Sequence, residues 1–269
     1  MSHRATDEWV DEDLVGMREE VSDEPADPLE AFADAGYITD VISEVKTGKE
    51  ATVYCCRAHP STGRELLAAK VYEVRAAGQY RTREFYSSGR QRMYRPDGRA
   101  MRALKAKTKR GRELVFRDWV SQEYENLKLL HRVGADVPQP FHQCGSAILM
   151  DYIGDTTRPA PTLVGASLSP DESRALFDGA MKNICLFLAN DRVHGDLSPY
   201  NILLWDGRLV IIDLPQMVLA NWNDAAFEAL KRDIENVVTF FGHRGVRASA
   251  AHLAIDLWTR YLRAQLRIE

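Results

Sequence analysis

Only four cysteines occur among the 269 residues, Cys55, Cys56, Cys144 and Cys185. They form no Cys-x-x-Cys pair and stand at no metal-ligand spacing from histidine, so neither a zinc site nor a disulfide framework is indicated. No run reaches the roughly 18–20 apolar residues of a membrane span. The first residues carry acids where a secretory leader needs a basic stretch and an apolar core. The expectation is a cytoplasmic chain with reduced thiols, neither secreted nor in contact with a membrane. A net charge of −4 provides no overall basic surface, but the charge is unevenly spread. With 45% hydrophobic and 28% charged residues the composition is that of a folded protein, long enough for two lobes sharing a core.

The unevenness defines segments. Residues 1–30 hold Asp7, Glu8, Asp11, Glu12, Asp13, Glu19, Glu20, Asp23 and Glu24 with prolines 25 and 28, a composition that buries little apolar surface and predicts a mobile acidic tail. It reads either as a solvated leader or as an autoinhibitory arm that mimics phosphate. Residues 31–150 then hold short β-favouring runs at 41–45, 51–56 and 66–72, the first two joined by Lys46-Thr47-Gly48-Lys49-Glu50. Between Arg75 and Arg117 about fourteen Lys or Arg face about three acids, with Tyr80, Phe85, Tyr86 and Tyr94 among them. That flexible insert reads as a surface for RNA, a ribosomal particle or an acidic partner, or as a soluble loop balancing the tail.

Helical spacing of Val120, Tyr124, Leu127 and Leu130 predicts a helix from about Trp119 to His131, with Glu123 on its inward face and Glu125 on the other. Ala147–Met150 reads as a buried strand leading through Asp151-Tyr152-Ile153-Gly154 into a second lobe, residues 151–269. Ser169, Pro170 and Glu172 are spaced as a capping box opening a helix to about Asn190. Asp206-Gly207 between two apolar runs predicts a two-residue hairpin, and two amphipathic helices follow, 227–241 and 248–266.

Phosphoryl transfer asks a protein to hold a phosphate chain, neutralise its charge and orient the accepting oxygen. His194-Gly195-Asp196-Leu197-Ser198-Pro199-Tyr200-Asn201, with Asp213 at the far end of the hairpin, has the residues for this. Asp196 is the candidate proton acceptor, and Asn201 and Asp213 the candidate magnesium ligands, since magnesium prefers few carboxylates beside phosphate oxygens and water. Lys70 is the only charge in a strand expected to bury both faces, so it needs a partner, for which Glu123 is the candidate. Thr47, Gly48, Lys49, Glu50 and Ala51 form the candidate phosphate loop, though without a Gly-x-Gly-x-x-Gly or Walker pattern.

These residues resemble the RIO family of atypical serine/threonine protein kinases over about Val41 to Arg247. The resemblance rests on Thr-Gly-Lys-Glu-Ala at 47–51, Gln122 to Leu127, His-Gly-Asp-Leu-Ser-x-Tyr-Asn at 194–201, Ile-Ile-Asp at 211–213 with Gln216, and Lys231 to Val237. It looks like the first subgroup, which lacks a winged-helix domain, leaving room before residue 41 for one short helix near Pro28 to Ala35. The resemblance implies an α+β, two-lobed kinase-like fold: an antiparallel N-lobe sheet with a helix, and a small helical C-lobe without an activation segment or peptide-docking helices. It further implies ATP with Mg2+, or Mn2+ in its place, in the cleft. Adenine would meet Met150, Asp151 and Ile153, with Ser198 and Tyr200 near the nucleotide. The chain departs from the usual pattern at Thr52, Pro199 and Pro215. The activity implied is autophosphorylation or phosphorylation of a protein; an ATPase switch in ribosome or RNA assembly, a small-molecule phosphotransferase and an inactive scaffold are the competing readings.

Overall fold

The computed structural model describes residues 27–73, 109–222 and 225–266. A short helix α1 (Pro28–Asp34), capped by the Asp27 carboxylate on Leu29 N–H at 2.9 Å, precedes strands β1 (Ile38–Thr47), β2 (Ala51–Ala58) and β3 (Leu66–Tyr72). Helix α2 (Lys109–Arg132) and strands β4 (Pro140–Cys144) and β5 (Ala147–Asp151) complete an antiparallel sheet in the order β1-β2-β3-β5-β4. The rest is mainly helical: α3 (Pro170–Ala189), a β7–β8 hairpin (Ile202–Trp205, Arg208–Ile211), α4 (Ala226–Gly242) and α5 (Ala250–Leu262). Two-residue strands β6 (Arg192–Val193) and β9 (Val218–Leu219) pair beside the hairpin. This is the two-lobed kinase-like α+β fold.

The sheet has two faces with different duties. Cys56, Leu67, Ala69, Ala147 and Leu149 pack with Phe32 of α1 into a small cluster on one side. Ala51, Ala68, Ile148 and Met150, with Val53 against them, join α2 and the C-lobe on the other. That second cluster runs unbroken from sheet to C-terminal helices, so the lobes share one core. Polar ties reinforce it: Trp119 Nε1–H donates to Pro215 O at 3.2 Å, Arg192 Nε to Asn126 Oδ1 at 2.8 Å, and Asn183 Nδ2 to Asp136 Oδ2 at 2.7 Å. Helix α2 is thereby fastened to both lobes.

Local chemistry explains most boundaries. The Ser169 hydroxyl and Glu172 carboxylate form the expected capping box, and Asp206 and Gly207 take φ of 49° and 72°, as a tight hairpin turn demands. Helix α2 differs from expectation: it begins at Lys109, ten residues before Trp119, so the last part of the basic stretch 75–117 is helical. Apolar periodicity marks only where a helix buries a face. The remainder of that insert and residues 1–26 of the acidic tail lie outside the described residues, whereas Pro28 to Glu30 belong to α1. Strand β4 goes unannounced because it starts on Pro140 and carries His142 and Gln143, weak strand formers that the edge position tolerates.

Candidate active site

Lys70 of β3 projects from the sheet face that looks toward α2. Its Nζ lies 2.9 Å from Glu123 Oε1 and 2.8 Å from Asp213 Oδ1. Glu123 is only 2% exposed, while Asp213 is 44% exposed. Burial alone would lower the Lys70 pKa, but the two carboxylates outweigh it and hold the ammonium charged. Burial pushes Glu123 up against the pull of Lys70, and Lys70 holds Asp213 below the ordinary carboxylate range. One cation thus joins the N-lobe sheet, α2 and the end of the C-lobe hairpin. Glu125, two positions on, faces solvent beside Lys128.

The loop carrying Asp196 follows β6 and is fixed through its backbone. Buried Asp233 of α4 accepts Gly195 N–H at 2.8 Å and Leu197 N–H at 2.9 Å. Asn236 Nδ2 donates to Leu197 O at 2.8 Å. His194 Nε2 lies 3.2 Å from Ile212 O, and a carbonyl only accepts, so this nitrogen carries the hydrogen and Nδ1 takes Asp196 N–H at 3.4 Å. Burial drives the His194 pKa down to about 4, keeping the ring neutral. Gly195 has φ 82°, and a Cβ there would stand 2.9 Å from Gln216 O. Asp196 itself is exposed, and the amides of Gly195, Asp196 and Leu197 are all committed.

Asn201 closes a single 3-10 turn, Pro199–Asn201, behind Ser198. Its Nδ2 donates to Asp196 O at 2.9 Å, turning the amide oxygen to the other side, and its own carbonyl accepts Ile212 N–H at 2.9 Å. Asp213 sits at φ 68°, a left-handed conformation that aspartate tolerates at a turn. One oxygen is on Lys70, which leaves the other for a cation. Among the described residues no cluster of three or more His, Cys, Asp and Glu side chains could cage a metal ion; an amide oxygen and one carboxylate oxygen suit magnesium that brings phosphate and water ligands.

The other expected residues lie at and just after the end of β5, in the β1–β2 turn and in the Asp196 loop. Met150 is buried at the end of β5, and Asp151 is held by Arg64 at 2.7 Å. Ile153 O accepts Ala160 N–H at 2.9 Å, so what Ile153 can offer a purine is its N–H. Gly48 N–H donates to Ala51 O at 2.9 Å, closing the turn that carries exposed Lys49 and half-buried Glu50. Tyr200 is 64% exposed. Thr47, however, spends its hydroxyl on Glu44 Oε1 at 2.6 Å and lies 3.3 Å from Thr52 Oγ1, in register with Thr52 on the sheet face turned away from Lys70.

Asp233 is the support of the Asp196 loop that spacing within the loop does not announce, because it comes from a distant helix. Burial pushes its pKa up to about 7, against the pull of the two N–H donors. A folded-state value above the unfolded one means its stabilisation is complete in acid and lost as pH rises through about 7. Between about pH 4 and about pH 7 the stability of the parent protein is expected to fall relative to Asp233→Asn, whose amide does not titrate, and above about pH 8 the difference stays level; the opposite contribution of His194 is common to both proteins and cancels. Chemical denaturation across that window reads the difference.

The chain is similar to known proteins. A family model described as RIO domain matches residues 52–253. The serine/threonine-protein kinase RIO1 of Caenorhabditis elegans is 32% identical over 212 residues, covering 78% of this chain and 39% of that protein. The RIO-type serine/threonine-protein kinase Rio1 of Haloferax volcanii is 28% identical over 218 residues, covering 81% and 69%. This chain therefore spans about two fifths of the nematode relative. A Rio2 kinase structure from Chaetomium thermophilum superposes with TM-score 0.60 at 20% identity over 88% of this chain and 70% of that one. A second, described as an ADP/Mg2+-phosphoaspartate complex of the same kinase, gives 0.58 over 88% and 69%. Both show the likeness of fold, and the domain match, covering most of the sequence, decides the family: the chain belongs to the RIO domain family.

Proposed function

We propose that this chain is a RIO-type serine/threonine protein kinase, transferring the γ-phosphate of Mg-ATP to hydroxyls of itself or of a protein substrate. The observation that carries the reading is the bridge of Lys70 to Glu123 and Asp213 across the cleft, 2.9 and 2.8 Å. In this reading Lys70 steadies the α- and β-phosphates and Glu123 keeps it in place. Asp196 accepts or orients the hydroxyl proton, held within reach by the Asp233 clamp. The Asn201 amide oxygen and the second Asp213 oxygen hold Mg2+, or Mn2+ in its place. The metal, when bound, neutralises charge on the phosphate chain. Met150 backs the adenine, Asp151 and Ile153 offer backbone groups to it, and the Gly48–Ala51 turn with Lys49 covers the phosphates while Ser198 and Tyr200 flank them.

Label from γ-labelled ATP is expected on serine or threonine of the purified protein. A second reading draws on the short path from Asp213 to α4 at Ala226, where the described residues form only β9 and one 3-10 turn and offer no platform for an extended peptide. Here the site works as an ATPase switch and Asp213 takes the phosphate transiently, as the phosphoaspartate in the Chaetomium thermophilum Rio2 complex suggests. Free labelled phosphate with a hydroxylamine-sensitive protein adduct would favour it. Absence of both products, together with no Mg-ATP binding by calorimetry, would remove both readings.

A further inference from the structure

The edge strand β1 hides a second cation that faces the same cleft. Its register against β2 breaks between Glu44 and Lys46: Glu44 lies opposite Tyr54, yet Lys46 lies opposite Val53. Two steps on β1 match one on β2, so Val45 is a bulge residue, and a bulge re-aims the side chains beyond it. Tyr54 packs on the α1 side of the sheet, whereas Val53 packs on the core shared with α2 and the C-lobe. Glu44 therefore stands on the outer face and Lys46 on the inner one. Thr47, opposite Thr52, returns to the outer face, where it bonds Glu44.

The row continues across the sheet. Val53 is paired with Lys70 without any shift between β2 and β3, and side chains directly opposite in neighbouring strands share a face. Lys46, Val53 and Lys70 form one line on the cleft side, with the two lysine Cα atoms about 10 Å apart, two strand spacings. Lys70 is spent on two carboxylates, whereas Lys46 is exposed and makes no ion pair among the described residues. Asp213, held down first by Lys70, also feels the charge of Lys46. An apolar residue would suit a position opposite Val53; a lysine there with no ion pair among the described residues leaves a positive charge to spare on the face that carries Lys70.

We propose that Lys46 is a second phosphate-binding cation of this cleft, reaching the terminal phosphates of a nucleoside triphosphate from the edge strand. This rests on the reading of the cleft as a Mg-ATP site. Lys46 then senses phosphate-chain length, while Lys70 remains bound to Glu123 and Asp213.

Calorimetric titration of the full chain with Mg-ATP, Mg-ADP and adenosine, in the parent, Lys46→Met and Lys46→Arg, tests it. In Lys46→Met, affinity for Mg-ATP is expected to fall about tenfold to a hundredfold, the loss of one charge-assisted hydrogen bond. Mg-ADP should lose less and adenosine nothing, and Lys46→Arg should recover most of the ATP affinity. Because Lys46 is exposed, a thermal melt checks that Lys46→Met is folded. Unchanged Mg-ATP affinity in Lys46→Met, or an equal loss for adenosine, overturns the role of Lys46 and leaves the nucleotide reading standing. A parent protein that binds no Mg-ATP would overturn that reading itself, and the role of Lys46 with it.

Discussion

Asp196→Asn is expected to slow phosphoryl transfer by about 10²–10⁴-fold, the usual worth of a positioned general base, with little change in melting temperature or in Mg-ATP affinity. The reason lies in how the loop is held. Its shape comes from Asp233 on Gly195 and Leu197 N–H, from His194 on Asp196 N–H and from Asn201 on Asp196 O, all through the backbone. The Asp196 side chain is exposed, so an isosteric amide keeps that backbone scaffold and removes the capacity to take a proton, together with the charge that Asp233 feels. Asp213→Ala should behave differently. It strips a carboxylate from Lys70 and a ligand from the metal, so Mg-ATP affinity should fall along with the rate. Single-turnover transfer with γ-labelled ATP, beside calorimetry on the same preparations, separates the two. A parent-like rate in Asp196→Asn would dismiss it as the base.

Much of this architecture was legible because separate local signals agreed. The Ser169 capping box, the Asp206-Gly207 turn and the lone charge of Lys70 in an apolar strand each have a physical cause readable from a few residues, and each appears in the fold. The inward aim of Glu123 followed from helical periodicity alone. What escaped depends on distance or on register. Asp233 supports the Asp196 loop from a helix 36 residues beyond Leu197; its stretch, Lys231 to Val237, carries part of the resemblance, but its hydrogen bonds to that loop cannot be read from spacing. Lys46 reads as part of a turn, and only a one-residue bulge puts it in the strand and on the cleft face. Period-two alternation cannot see a bulge. The early start of α2 is not marked in the sequence because its first turn, Lys109 to Arg112, is basic and contains a glycine.

Lys70→Met is expected to destabilise the fold by about 3–5 kcal/mol near neutral pH, the cost of stranding one member of a buried ion pair. Glu123 would be that stranded charge, 2% exposed, with Oε2 already lacking a hydrogen-bond partner. Asp213 is partly in water and tolerates the loss better. The sign of the pH dependence follows from Glu123. Burial already raises its pKa, and without Lys70 the carboxyl must rise further. A folded-state value above the unfolded one gives stabilisation that is full in acid and lost as pH climbs through the folded-state value. The variant should therefore lie closer to the parent at pH 5 than at pH 8. Over the same interval Lys70 of the parent stays charged and Asp213 stays ionised, so neither contributes to the difference. Adding Glu123→Leu should recover part of the stability at pH 8, because an apolar pair replaces the unpaired carboxylate, while doing nothing for catalysis. If urea denaturation instead gave the same loss at both pH values and no recovery in the double variant, Lys70 would matter through packing alone, and the cross-cleft ion pair would not be what joins the lobes.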